Sequence, residues 1–197
     1  MPHTNANRGR RHRTSVARTT ALTTTLVLSV AMPVAAQNGN GNHTRLERFG
    51  VALVYGTLTG LAFAGIDQAR NDPPEWGRGG EGYARRAGSN VGEFVIQEGV
   101  SEGLAAVMNR PVGYTRCKCT GNSPRIRHAV FGAVTDEMPN GSRKFAVPRV
   151  VGAYVGSFAQ GAWRPNGGRN WLQLGLARGT ASIALGAGIN LFHEFVK

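Results

Sequence analysis

Small residues recurring at every fourth position constrain this chain more than any other feature of its sequence. From Phe49 to Ile66, eighteen residues carry no charge, and within them Ala52, Gly56, Gly60 and Ala64 repeat at a four-residue step. On an α-helix that step returns to one face, so the four positions form a stripe without side-chain bulk. A neighbouring backbone can approach such a stripe closely. The same habit recurs at Gly152/Gly156 and at Gly175/Gly179, so the chain's 28 glycines are not confined to linkers. In strands, glycine would instead mark bulges and bends, and the surrounding residues would alternate. Alternation is limited to a few matches, as in residues 127–134. The expected fold is therefore all-α, a Gly-rich bundle of about five helices. A small membrane β-barrel, which needs only ~10 residues of alternation per strand, is the alternative.

Five helical segments can be drawn. The first starts after Thr44 as N-cap, with Glu47 completing a capping box, and runs to about Ala69. Asn71-Asp72-Pro73-Pro74-Glu75-Trp76-Gly77 follows as a loop. The second runs from Tyr83 to about Asn109, mixing Val91, Phe94 and Val95 with Glu98 and Glu102, and reads as amphipathic. A short third helix fits residues 126–135. Asp136 to Lys144 is expected to be a turn around Pro139-Asn140-Gly141. The fourth begins near Pro148, a favoured first-turn position. The last spans Asn170 to Val196.

Ahead of these, residues 1–36 have the layout of a cleavable signal peptide. Arg8, Arg10, Arg11, Arg13 and Arg18 form a basic n-region, residues 21–34 an apolar stretch, and Val34-Ala35-Ala36 a small-residue cleavage site. Residues 37–44 are a polar linker, and 45–197 are expected to form a single helical domain. Without the signal, 18 Lys+Arg face 11 Asp+Glu, a net charge of +7 against +12 for the full chain. A positive surface favours anionic partners, here an envelope polymer or lipid head groups; export excludes intracellular nucleic acid. Arg110, Arg116, Lys118, Arg125 and Arg127, with no acid among them, are the candidate anionic contact. Ala52, Gly56, Gly60 and Ala64 are the candidate packing stripe, toward a membrane or another envelope protein.

Residues suited to chemistry are sparse. Asp67, Asp72, Glu75 and Glu81 cluster around the Pro-Pro loop, where two carboxylates could act as acid and base on a glycosidic bond. Their alternative role is pairing with the neighbouring arginines. Cys117 and Cys119 are separated by one residue, so a bridge between them closes a very small ring that is easily reduced. No further His or Cys lies at finger-like spacing, and His43, His128 and His193 are isolated in sequence. No nucleophile elbow or P-loop is present, and no cofactor or catalytic residue is expected.

The blocks Ala64-Gly65-Ile66-Asp67-Gln68-Ala69-Arg70-Asn71, Pro73-Pro74-Glu75-Trp76-Gly77 and Glu81-Gly82-Tyr83-Ala84-Arg85-Arg86 resemble a pattern in uncharacterised Gly-rich exported bacterial proteins. The block from Phe145 to Trp163, followed by Arg164-Pro165, is similar to their second half. That resemblance implies export and carries no activity. The four-residue stripe also resembles glycine-zipper envelope proteins. The expected role is a non-catalytic, membrane-associated structural or interaction protein. The alternatives are a soluble module binding an anionic ligand and, more distantly, a carboxylate-dependent hydrolase.

Overall fold

The computed structural model describes residues 45–165 and 167–196. The signal segment, the polar linker and the Thr44 cap lie outside the described residues. Five helices carry the fold: α1 (Arg45–Arg70), α2 (Gly80–Val107), α3 (Asn122–Phe131), α4 (Val147–Trp163) and α5 (Gly167–Phe195). A 3-10 turn (Pro74–Trp76) lies between α1 and α2, and strands β1 (Thr135–Glu137) and β2 (Arg143–Phe145) lie between α3 and α4. The described residues form an all-α bundle, and the only strands among them are these two three-residue segments.

Helix α2 is the hub. Helices α1 and α4 pack on it, α5 packs on α4, and α3 packs on α5. The contacts of α1 with α2, α4 with α2 and α5 with α4 each set glycines against a larger group or against backbone. Phe94 of α2 lies over Gly56 of α1, and a Cβ added at Gly60 would stand 2.9 Å from Val91 Cγ2. On α4, Gly152 and Gly156 face the α2 backbone, where added Cβ atoms would lie 2.6 Å from the Gln97 carbonyl and 2.8 Å from the Glu93 carbonyl. Tyr154 and Phe158 of α4 in turn lie over Gly179 and Gly175 of α5.

The segment before α4 departs from the expected helix and turn. Helix α3 ends at Phe131, and Thr135 opens an antiparallel hairpin with the register Thr135↔Phe145, Asp136↔Lys144, Glu137↔Arg143. Gly141 takes a positive φ of 77° in its turn, and its N–H reaches the Met138 carbonyl at 2.8 Å. Three-residue strands made mostly of polar residues carry no alternation. Their pairing is supported by Arg149 of α4, which binds the Asp136 carboxylate at 3.1 Å and the Gly132 carbonyl at 2.6 Å.

The interior is polar and thin. Every buried hydrophobic side chain among the described residues is an alanine, whereas Arg86, Asn90, Glu93, Ser157, Gln160 and Arg164 are buried. Large apolar side chains lie outside, including Val54, Leu58, Val155, Trp171 and Leu176. Water-soluble cores are ordered the other way, with large aliphatic and aromatic groups inside.

Candidate functional site

The polar interior forms a seam along α2. At its start, Arg86 is fully buried and its guanidinium fastens the Pro-Pro loop. It donates to the carbonyls of Asp72 (2.8 Å), Pro73 (2.6 Å) and Gly77 (2.6 Å) and to Gln68 Oε1 (2.5 Å). Arg164, at the end of α4, pairs with Asp72 at 3.1 Å and Asp67 at 3.7 Å, and its guanidinium lies over the Trp76 ring. One turn on, Asn90 and Glu93 collect groups from both neighbours. Glu93 accepts from Ser157 of α4 (2.8 Å) and Arg178 of α5 (2.8 Å), and Asn90 Oδ1 accepts from Gln160 (3.1 Å) and Arg178 (3.1 Å). Ser182 of α5 closes the next layer on Gln97 at 3.0 Å. A buried charge without a partner is costly, so these pairings make the seam a specific docking surface for α4 and α5.

The seam accounts for two of the acids around the Pro-Pro loop, Asp67 and Asp72. Asp67 and Asp72 share Arg164, and Glu81 pairs with Arg85 one helical turn away. Asp72 therefore neutralises a buried cation brought from α4, a partner nearly a hundred residues downstream. Farther along α2, burial pushes the Glu98 carboxyl up to about 7; the nearby Glu102 charge adds to the rise and Arg149 opposes it.

A second cluster lies where the segment after α2 crosses the end of α5. The Glu194 carboxylate accepts from Tyr114 Oη (2.6 Å), the Cys117 N–H (2.7 Å) and Arg125 Nε (3.2 Å). Burial raises the pKa of Glu194, but these donors outweigh it and hold the carboxyl below its ordinary value. Burial, followed by the hydrogen bond to Glu194, pushes the Tyr114 hydroxyl upward. Arg116 donates to the Val196 carbonyl at 2.5 Å, and Arg125 also lies over the Phe195 ring. Arg110 is half-buried, with its guanidinium near the Met138 sulfur. Lys118 and Arg127 are exposed. The five basic residues read together in sequence thus divide: Arg116 and Arg125 fasten α5, Arg110 turns toward the hairpin, and Lys118 and Arg127 face solvent. Arg127 also lines, with Arg143 of β2, His128 and Cys119, a cavity of about 290 Å³.

Cys117 and Cys119 are joined by a disulfide. The fold brings His128, from the last turn of α3, to them: its ring nitrogen and the two sulfurs lie within 4.8 Å of one another. Sequence spacing missed this histidine because eight residues of loop and helix separate it from Cys119. The available signal was that Gly121 and Pro124 turn the chain back into a helix immediately after the second cysteine.

The packing stripe lies in the α1–α2 interface: Gly56, Gly60 and Ala64 are buried and Ala52 is half-buried. The opposite side of α1 carries Val51, Val54, Leu58 and Leu61, and Phe63 lies on its flank; all are exposed. By length and composition, residues 47–70 could cross a membrane, and only 17% of the apolar window is buried. No family model matches this chain, and neither a curated protein nor a solved structure matches it.

Proposed function

We propose that this chain is an exported, non-catalytic protein of the cell envelope that associates with a membrane through α1. The supporting observation is the division of α1 into two faces. Its small residues are occupied by α2, so a charge-free row of large apolar side chains is left outside. Exposing contiguous apolar surface to water is unfavourable, and lipid removes that cost. The polar seam supports the same reading. Small residues and paired polar groups inside, with apolar groups outside, match the order of helix bundles in lipid. Arg178 is compatible with it because its charge is turned inward onto Glu93.

Cell fractionation tests the proposal. Membranes from cells making the full chain are washed first with high salt and then at alkaline pH. Retention after both washes is expected, together with release of the Val54→Glu/Leu58→Glu variant. Release of the natural protein by salt alone overturns insertion. It would favour the soluble reading, in which exposed Lys118 and Arg127 meet an anionic envelope polymer, an attraction that salt screens.

A further inference from the structure

We propose that Cys117, Cys119 and His128, once the disulfide is reduced, form a binding site for one thiophilic monovalent cation, Cu(I). The three ligand atoms already lie within 4.8 Å of one another. Metal–sulfur and metal–nitrogen bonds of roughly 2.0–2.3 Å require ligand atoms only about 3.5–3.8 Å apart, so opening the sulfur–sulfur bond is the main change needed.

The surroundings hold the ligands in place. Glu194 fixes the backbone of Cys117 through its N–H, and the Cys119 N–H points at the Cys117 sulfur at 3.3 Å, where it would support a thiolate. His128 Nε2 donates to the Thr115 carbonyl at 2.8 Å, which sets the tautomer and leaves the lone pair on Nδ1. A ligand histidine held by a carbonyl on its second nitrogen is the usual outer-shell arrangement of metal sites. Nδ1 accepts a hydrogen bond from Arg143, an exposed side chain on β2 that must swing away for the ion to enter. The adjoining cavity, lined by Cys119, Arg127, His128 and Arg143, supplies the route.

Ligand type and charge select the ion. Two sulfurs and one imidazole are soft donors that suit Cu(I) or Zn(II). Two thiolates and a neutral imidazole around a monovalent ion leave a net charge of −1. Lys118 and Arg127 complement that anion and favour the thiolates. Around a divalent ion the complex is neutral and gains nothing from them.

The redox step balances. An external dithiol gives two electrons and two protons to the Cys117–Cys119 bond and is itself oxidised to a disulfide. The ion then displaces the two thiol protons, so loading acidifies an unbuffered solution. Disulfide and bound ion exclude one another, which makes the site conditional on the redox state of its compartment.

The test uses the full chain in mild detergent, reduced with a dithiol that is then removed under anaerobic conditions. Cu(I) is titrated in competition with a chromophoric Cu(I) chelator. One equivalent is expected to bind the reduced chain and none the oxidised chain, a comparison that needs no substitution. His128→Ala is expected to weaken binding by about tenfold or more. Arg143→Ala is expected to tighten it, and Cys117→Ser/Cys119→Ser to abolish it. Equal binding by the oxidised chain or by the double serine variant overturns the site. A chain that holds Zn(II) but yields all its Cu(I) to the chelator overturns the choice of ion.

Discussion

Arg86 shows how much of this fold rests on single polar side chains. One fully buried guanidinium satisfies three loop carbonyls and Gln68. Arg86→Ala would leave those acceptors buried or force the loop open, so a loss of about 3 kcal/mol or more is expected in chemical denaturation. Lysine is expected to rescue it poorly, because an ammonium group cannot reproduce the planar fork. Glu98 supplies a pH signature. Its folded pKa, about 7, lies above the ordinary 4.5, so the folded and unfolded forms are equally protonated below about pH 4.5. As the pH rises from there to about 7, the unfolded chain ionises first, and stability falls. Glu98→Gln is expected to remove this decline; thermal melts of both proteins from pH 4 to 8 check it. His193 contributes with the opposite sign. Burial and then Arg116 depress its pKa below 6.5, so the unfolded chain protonates it first and the fold loses stability as the pH falls. The difference between natural protein and variant isolates Glu98.

At the scale of the helices, glycine has two distinct uses, and they predict opposite substitutions. At Gly156 an added methyl would meet the Glu93 carbonyl and the Gln97 Cβ, neither of which can yield without moving α2. Gly156→Ala is expected to cost about 1–3 kcal/mol and Gly156→Leu to separate α4 from α2. Gly99, on the exposed side of α2, has nothing within 4 Å, so Gly99→Ala is expected to add about 0.5–1 kcal/mol through helix propensity alone. Denaturation midpoints of the two alanine variants should therefore move in opposite directions. The helices were legible in sequence because the four-residue steps at Gly56/Gly60, Gly152/Gly156 and Gly175/Gly179 each mark one contact face. The Pro-Pro loop and the first turn of α4 were legible because proline fixes local backbone geometry. The hairpin was not, since Thr135–Glu137 and Arg143–Phe145 are too short to show alternation and depend on Arg149. The Cys117, Cys119 and His128 cluster was hidden for a related reason: the docking of α3 on α5, where Asn190 holds the Ala129 carbonyl, and the ring's bonds to the Thr115 carbonyl and Arg143 set where that histidine points.

The whole molecule reverses the usual order of inside and outside. Among the described residues, the fully buried side chains are alanines and polar groups, Phe94, Val91 and Phe158 pack against glycines between helices, and many other large apolar groups are turned outward. Detergent is therefore expected to keep the full chain monodisperse in size-exclusion chromatography, and its removal to drive association; a monodisperse monomer in plain buffer would contradict the lipid-facing role of α1. The seam also has a consequence in time. Glu93 finds Ser157 and Arg178 only after 64 and 85 intervening steps along the chain, whereas α1 meets α2 across one short loop. A chain emerging residue by residue can form the α1–α2 pair early, but the polar flank of α2 stays bare until α4 and α5 arrive. During that interval the half-made protein has one flank suited to oil and another suited to water, and it is best matched to the boundary between them.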